Sequence, residues 1–158
     1  MSSPSSPLTI RRAMPDDADA ISALIRSLAH VFTLHPQGVG AEGFLQTLQP
    51  AAIETLLRAP QFSCFTGHAD DELAGVVAVR DNRHLHYLFV SAAFQGRGFG
   101  RLLWEHARQV AVAAGNREGF TVNSTPYALP VYQRFGFQAT GPRTEMKGIA
   151  FIPMSLAH

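Results

Sequence analysis

The stretch from Leu88 to Leu103 constrains the fold more than any other part of the chain. It runs Leu-Phe-Val-Ser-Ala-Ala-Phe-Gln-Gly-Arg-Gly-Phe-Gly-Arg-Leu-Leu: an apolar strand-like run, a short loop, three alternating glycines (Gly96, Gly98, Gly100), then an amphipathic helix start. Glycines at that junction let backbone N–H groups close on an anion without interference from a Cβ. With the positive end of the helix dipole, those N–H groups suit a phosphate or pyrophosphate. The same glycines also serve a loop that merely turns, since Gly-rich strand-to-helix turns are common. Two rival phosphate motifs fail. A P-loop closes on Gly-Lys-Ser/Thr, which is absent. A dinucleotide fingerprint would need glycine where Arg101 or Leu103 stands.

Periodicity organises the rest. Leu8 to Arg12 alternates apolar and polar, the period of a half-buried strand. Asp16 and Asp17 open a helix with Ile21, Leu24, Ile25 and Leu28 at helical spacing. A loop at Pro36 to Gly40 precedes a second helical pattern from Phe44 to Leu57, broken near Pro50. Strands are expected over Phe62–Gly67 and Leu73–Val79, joined by a turn at Ala69 to Glu72, and over His84–Val90. A helix from Phe99 to Ala114 would bury Leu103, Ala107, Val110 and Ala114. A strand at Gly119–Asn123, a short helix at Leu129–Phe135 and two last strands, Gln138–Lys147 and Ile149–Leu156, complete the pattern. Strands alternating with helices indicate an α/β architecture with a mixed sheet. The Ser/Pro run of residues 1–7 is expected to be a disordered lead-in, leaving residues 8–158 as one domain.

Composition bounds the function. Thirteen Lys+Arg against twelve Asp+Glu leave a net charge of +1, which argues against a nucleic-acid surface. One cysteine, Cys64, excludes a disulfide framework and a multi-cysteine zinc site; its apolar surroundings mark it as a small core residue. No apolar run approaches the ~18 residues that span a bilayer, and the first residues lack a signal-peptide layout. A soluble cytoplasmic protein, neither membrane-bound nor metal-dependent, is the expectation.

Gln95-x-x-Gly98-x-Gly100 resembles the acetyl-CoA signature of the GNAT superfamily of N-acetyltransferases, Gln/Arg-x-x-Gly-x-Gly/Ala. Ala128-x-x-x-Tyr132-x-x-x-Gly136-Phe137 is similar to the family's helix and turn beyond it, and Leu88-Phe89-Val90 stands where the family has its pantetheine-pairing strand. The resemblance implies a GNAT-like mixed, twisted and splayed sheet flanked by helices on both faces, with acetyl-CoA as co-substrate. It implies that backbone amides of Gln95, Gly96, Arg97, Gly98, Phe99, Gly100 and Arg101 hold the pyrophosphate, and that Phe89 and Val90 bond pantetheine. It implies Tyr132 beside the sulfur. Many relatives carry Asn three residues before the helix Ala; here Thr125 stands there, with Asn123 two earlier as the candidate cofactor contact.

Acetyl transfer from a thioester needs an uncharged amine, yet alkylamines with pKa near ~10 are mostly protonated at neutral pH. Something must accept that proton, a backbone N–H must stabilise the developing oxyanion, and an acid must protonate the departing thiolate. Tyr132 is the candidate acid; the competing role is a ring packed into the core. His84 and His86 alternate on one strand, so they share a face. The arrangement is similar to the paired strand histidines of arylalkylamine N-acetyltransferases, there associated with removing the amine's proton. The pair also reads as solvated surface groups or as metal ligands, though His35, His68 and His106 supply no recognisable third-ligand spacing. Tyr127 is expected as a pocket wall, Trp104 as packing and Arg134 as a solvated helix residue. By fold analogy, Phe32, His35 and the loop from Gly38 to Gly43 would shape the acceptor pocket. The function implied is acetylation of a small-molecule or peptide amine, with a non-catalytic CoA-binding module as the alternative. A homodimer is expected because sheet edges in this fold often pair.

Overall fold

A computed structural model describes residues 7–157. Apart from Pro7, the expected lead-in lies outside the described residues. The strands are β1 (Thr9–Arg12), β2 (Phe62–Ala69), β3 (Glu72–Arg80), β4 (His84–Val90), β5 (Phe120–Ser124), β6 (Gln138–Ala139), β7 (Thr144–Met146) and β8 (Ile149–Leu156). The helices are α1 (Ala18–Ser27), α2 (Glu42–Gln46), α3 (Pro50–Arg58), α4 (Phe99–Ala113) and α5 (Leu129–Arg134). Sheet order is β1-β2-β3-β4-β5-β8-β6, with β7 pairing β8 off that path. All pairs are antiparallel except β4 with β5.

The period-2 alternation of β3 splits the core into two layers. Val77 and Val79 pack beneath α4 with Leu103, Trp104, Ala107 and Ala111. Val76 and Ala78 face the other way, against Ile21 and Ile25 of α1 and Ile53 of α3. Helices therefore cover both faces, as the sequence implied. The break expected near Pro50 is present: α2 ends at Gln46 and Pro50 starts α3, where its missing N–H needs no partner.

Two expectations need correction. The buried stripe of α4 runs Phe99, Leu103, Trp104, Ala107 and Ala111, while Val110 is half-buried and Ala114 exposed. Ala114 is already the C-cap, before Gly115 at φ 106°, so the chain has left the sheet by then. The single strand expected over Gln138–Lys147 is two short ones, β6 and β7, interrupted at Gly141-Pro142. Proline there has no N–H to give a ladder.

Two irregularities shape the middle of the sheet. The β3–β4 register shifts between Ala78, opposite Tyr87, and Val79, opposite Leu85. His86 is thus the extra residue of a β-bulge. Beyond the bulge, β4 and β5 part: they pair at His84–Thr121 and Leu85–Val122 and at no later residue.

Candidate active site

Where β4 and β5 diverge, a cavity of about 540 Å³ opens. Leu88 and Val90 pack with the α4-side core and Phe89 with the α1-side core, yet all three line this one cavity. The opening therefore passes through the sheet, with the glycine loop and α5 on one side and the end of α1 on the other.

The glycine loop is built for close approach. Gly96 and Gly98 adopt φ 81° and 79°, left-handed values that disfavour any residue bearing a Cβ. A Cβ on either would meet nothing within 4 Å, so the space before the loop is open. Gly98 is the N-cap of the fifteen-residue α4, and no side chain caps it. The first-turn N–H groups, which have no partner within the helix, are left for an external acceptor at the positive end of the dipole. Gln95 braces the loop from behind by donating its side-chain amide to the Val90 carbonyl at 3.0 Å. Arg101 stacks over Phe135 at 5.1 Å, adding a cation on the same rim. These features fit a pyrophosphate.

Tyr132 faces the loop from α5. Its ring packs edge-on to Phe135 and Phe137 at 6.1 and 5.8 Å, and the residue is 7% exposed. No described residue hydrogen-bonds its hydroxyl. No fully buried side-chain oxygen lacks a partner among the described residues, so that oxygen must touch accessible space. Burial pushes its phenol up, which keeps it protonated at neutral pH. The turn leading into α5 is held by Thr125, whose hydroxyl accepts the Ala128 N–H at 3.0 Å.

The candidate residues fall into two groups. Phe89, Val90, Gln95, Gly96, Gly98, Phe99, Gly100, Arg101 and Tyr132 share the cavity. Arg97, Asn123, His84 and His86 are not among its lining. Arg97 turns back over the Phe94 ring at 5.3 Å, and Asn123 is exposed on β5. His84 contacts the Thr121 hydroxyl through Nδ1 at 2.8 Å, tying β4 to β5 at the first of their two paired positions, one residue before they part. The His86 ring lies 5.0 Å from Phe62 and 4.3 Å from its sequence neighbour Tyr87, closer than the alternating faces of a regular strand allow. Burial lowers both imidazoles, His86 to about 4, with Arg80 opposing a further positive charge.

Of the expected pocket-shaping residues, Tyr127 and Phe32 line the cavity, while His35 and the loop beyond it do not. Arg134, expected to be a solvated helix residue, does line it. So do Leu28, His30 and Val31, which sequence reasoning missed. Leu28 continues the core stripe of α1 and carries no separate signal. Cys64 is a core residue, its thiol pushed up to about 12 by burial.

A strand that splays from its neighbour beside an uncapped glycine-loop helix leaves room for an extended ligand that carries a pyrophosphate. A family model described as an acetyltransferase (GNAT) domain matches residues 32–158. The chain belongs to this family. Among solved structures, it is similar to PaiA N-acetyltransferase from Thermoplasma acidophilum in complex with coenzyme A (TM-score 0.77, 14% identity, 96% of this chain and 99% of that one). An acetyltransferase of the GNAT family from Streptococcus pneumoniae gives TM-score 0.70 at 23% identity, over 96% and 100% of the two chains. A spermidine N-acetyltransferase mutant from Vibrio cholerae gives 0.68 at 16%, over 94% and 92%. At these identities the likeness establishes the fold. No curated protein sequence matches the chain. No helix among the described residues is long and apolar enough to cross a membrane.

Proposed function

We propose that this protein transfers the acetyl group of acetyl-CoA to the nitrogen of a small-molecule or peptide amine by direct attack. One observation carries the reading: a single through-sheet cavity joins the open glycine loop to the accessible hydroxyl of Tyr132. CoA enters from the α4 side, its pyrophosphate on the loop amides and its pantetheine along Phe89 and Val90. The amine enters from the α1 side and meets the thioester carbonyl where β4 and β5 diverge. The new C–N bond forms as the C–S bond breaks. The sulfur takes its proton from the Tyr132 phenol, which burial keeps protonated.

The amine's own proton leaves toward His84 and His86 through ordered water. Burial lowers both imidazoles, His86 to about 4, so each is neutral at pH 7 but a weak base that passes the proton on to water rather than holding it. Their distance from the cavity wall is also the observation that favours the second reading, a CoA-binding module without turnover. Release of free CoA thiol from acetyl-CoA, measured across an amine panel alongside calorimetric CoA binding, separates the two. Amine-dependent release supports the transferase. Tight CoA binding with no release from any amine would leave the module.

A further inference from the structure

The cavity wall on the α1 side has a chemistry of its own. Leu28, Val31, Phe32 and Phe89 form it. Phe32 is backed edge-on by Phe44 at 5.7 Å and lies 5.7 Å from the Phe89 ring. The opposite lip is Tyr127 and Val131, an aromatic and an aliphatic side chain left 65% and 37% exposed at the mouth. Among the described residues that line the cavity there is no aspartate and no glutamate. Its guanidinium groups, Arg101 and Arg134, both stand on the glycine-loop side, where a polyanion is needed. On the α1 side the one titratable group is His30.

Resting on the acetyl-transfer reading above, we propose that the acceptor is a monoamine with an apolar body, and that di- and polyamines are rejected. A second ammonium would lose water against Phe32 and Phe89 with no carboxylate to meet it, and attraction to the ring faces offsets only part of that cost. An unpaired cation in such surroundings is strongly disfavoured. An aromatic or aliphatic body gains from the same wall by burying its own apolar surface. Discrimination then comes from a missing counter-charge, and selection against a substrate is as effective as attraction to another.

The test pairs hexylamine with cadaverine, which share a chain length and differ by a terminal methyl against a terminal ammonium. Phenethylamine and spermidine complete the set. Wild-type kcat/KM is expected to favour hexylamine over cadaverine by at least about a hundredfold, with phenethylamine accepted and spermidine poor. His30→Glu alters an exposed side chain on the cavity wall and supplies the missing carboxylate. It should narrow the hexylamine-to-cadaverine ratio by about tenfold. Cadaverine or spermidine used as well as hexylamine by the wild type overturns the inference while leaving acetyl transfer intact. Bound CoA with no amine acetylated at all overturns the transferase reading, and this inference with it.

Discussion

Gly98→Asp tests the claim on which the rest depends. Gly98 sits at φ 79°, ψ 11°, and a Cβ there meets nothing within 4 Å. The substitution therefore introduces left-handed strain and no clash. That strain is worth about 1–2 kcal/mol for a general residue and less for Asp or Asn, which hydrogen-bond locally. The fold should survive. The new carboxylate, however, occupies the space in front of the first-turn N–H groups of α4 and accepts from them as an N-cap. It also places a negative charge roughly 4 Å from the expected pyrophosphate, a repulsion of about 1 kcal/mol in bulk water and about 4 kcal/mol at a protein-surface dielectric. CoA affinity should fall by at least about tenfold. Gly98→Asn has nearly the same shape without the charge, so the difference between the two isolates electrostatics from strain. Raising salt to ~1 M, where the screening length is ~3 Å, should shrink that difference. Calorimetry with CoA, paired with circular dichroism melts, reads both terms. A folded Asp variant that binds CoA as tightly as the wild type refutes the assignment of the loop.

Three further outcomes are expected. Tyr132→Phe should lower kcat by roughly 10²–10⁴-fold with CoA affinity nearly unchanged, because the hydroxyl acts only as the thiolate departs; near-full turnover with chemistry rate-limiting would make Tyr132 a wall residue. For His84→Gln, His86→Gln and the double variant, kcat/KM against pH should lose its acidic limb, with far greater damage in the double; an unaltered profile in the double removes the relay. The third outcome concerns acid stability. His86 falls from an ordinary 6.5 to about 4, so between those values the unfolded chain binds a proton that the folded one refuses. Stability should drop as pH falls through that window, by up to about 3 kcal/mol from this group, and melts of His86→Gln should show a shallower decline; an identical slope rejects the burial argument.

Much of the fold was legible because its signals are local. The alternation of Thr9–Arg12, the helical stripe of Ile21, Leu24 and Ile25, and the glycines before Leu102 each announce themselves within a few residues. The glycine loop and Tyr132 were legible for the same reason, each carried by a fixed spacing. What escaped depends on partners far away in sequence. The bulge at His86 exists only in the pairing of β4 with β3, and nothing in His-Leu-His-Tyr itself breaks the alternation. Leu28 serves both the core and the cavity, and one apolar stripe looks the same in either role. Asn123 and Thr125 stand two residues apart, and only the turn after β5 decides which of them reaches the cavity.

The parting of β4 from β5 leaves residues Leu88–Val90 with one backbone edge that no strand covers, in the middle of a sheet rather than at its border. Apart from the Val90 carbonyl, which Gln95 already occupies, such an interior edge carries the same hazard as an outer one, since another extended chain can join it. Pantetheine is itself an amide-bearing extended chain, and on the proposed reading it would lie in the gap in place of the missing strand. The co-substrate would then serve as a removable piece of secondary structure. Its presence during refolding should raise the yield of monodisperse protein by closing the seam through which one molecule could otherwise annex a segment of the next.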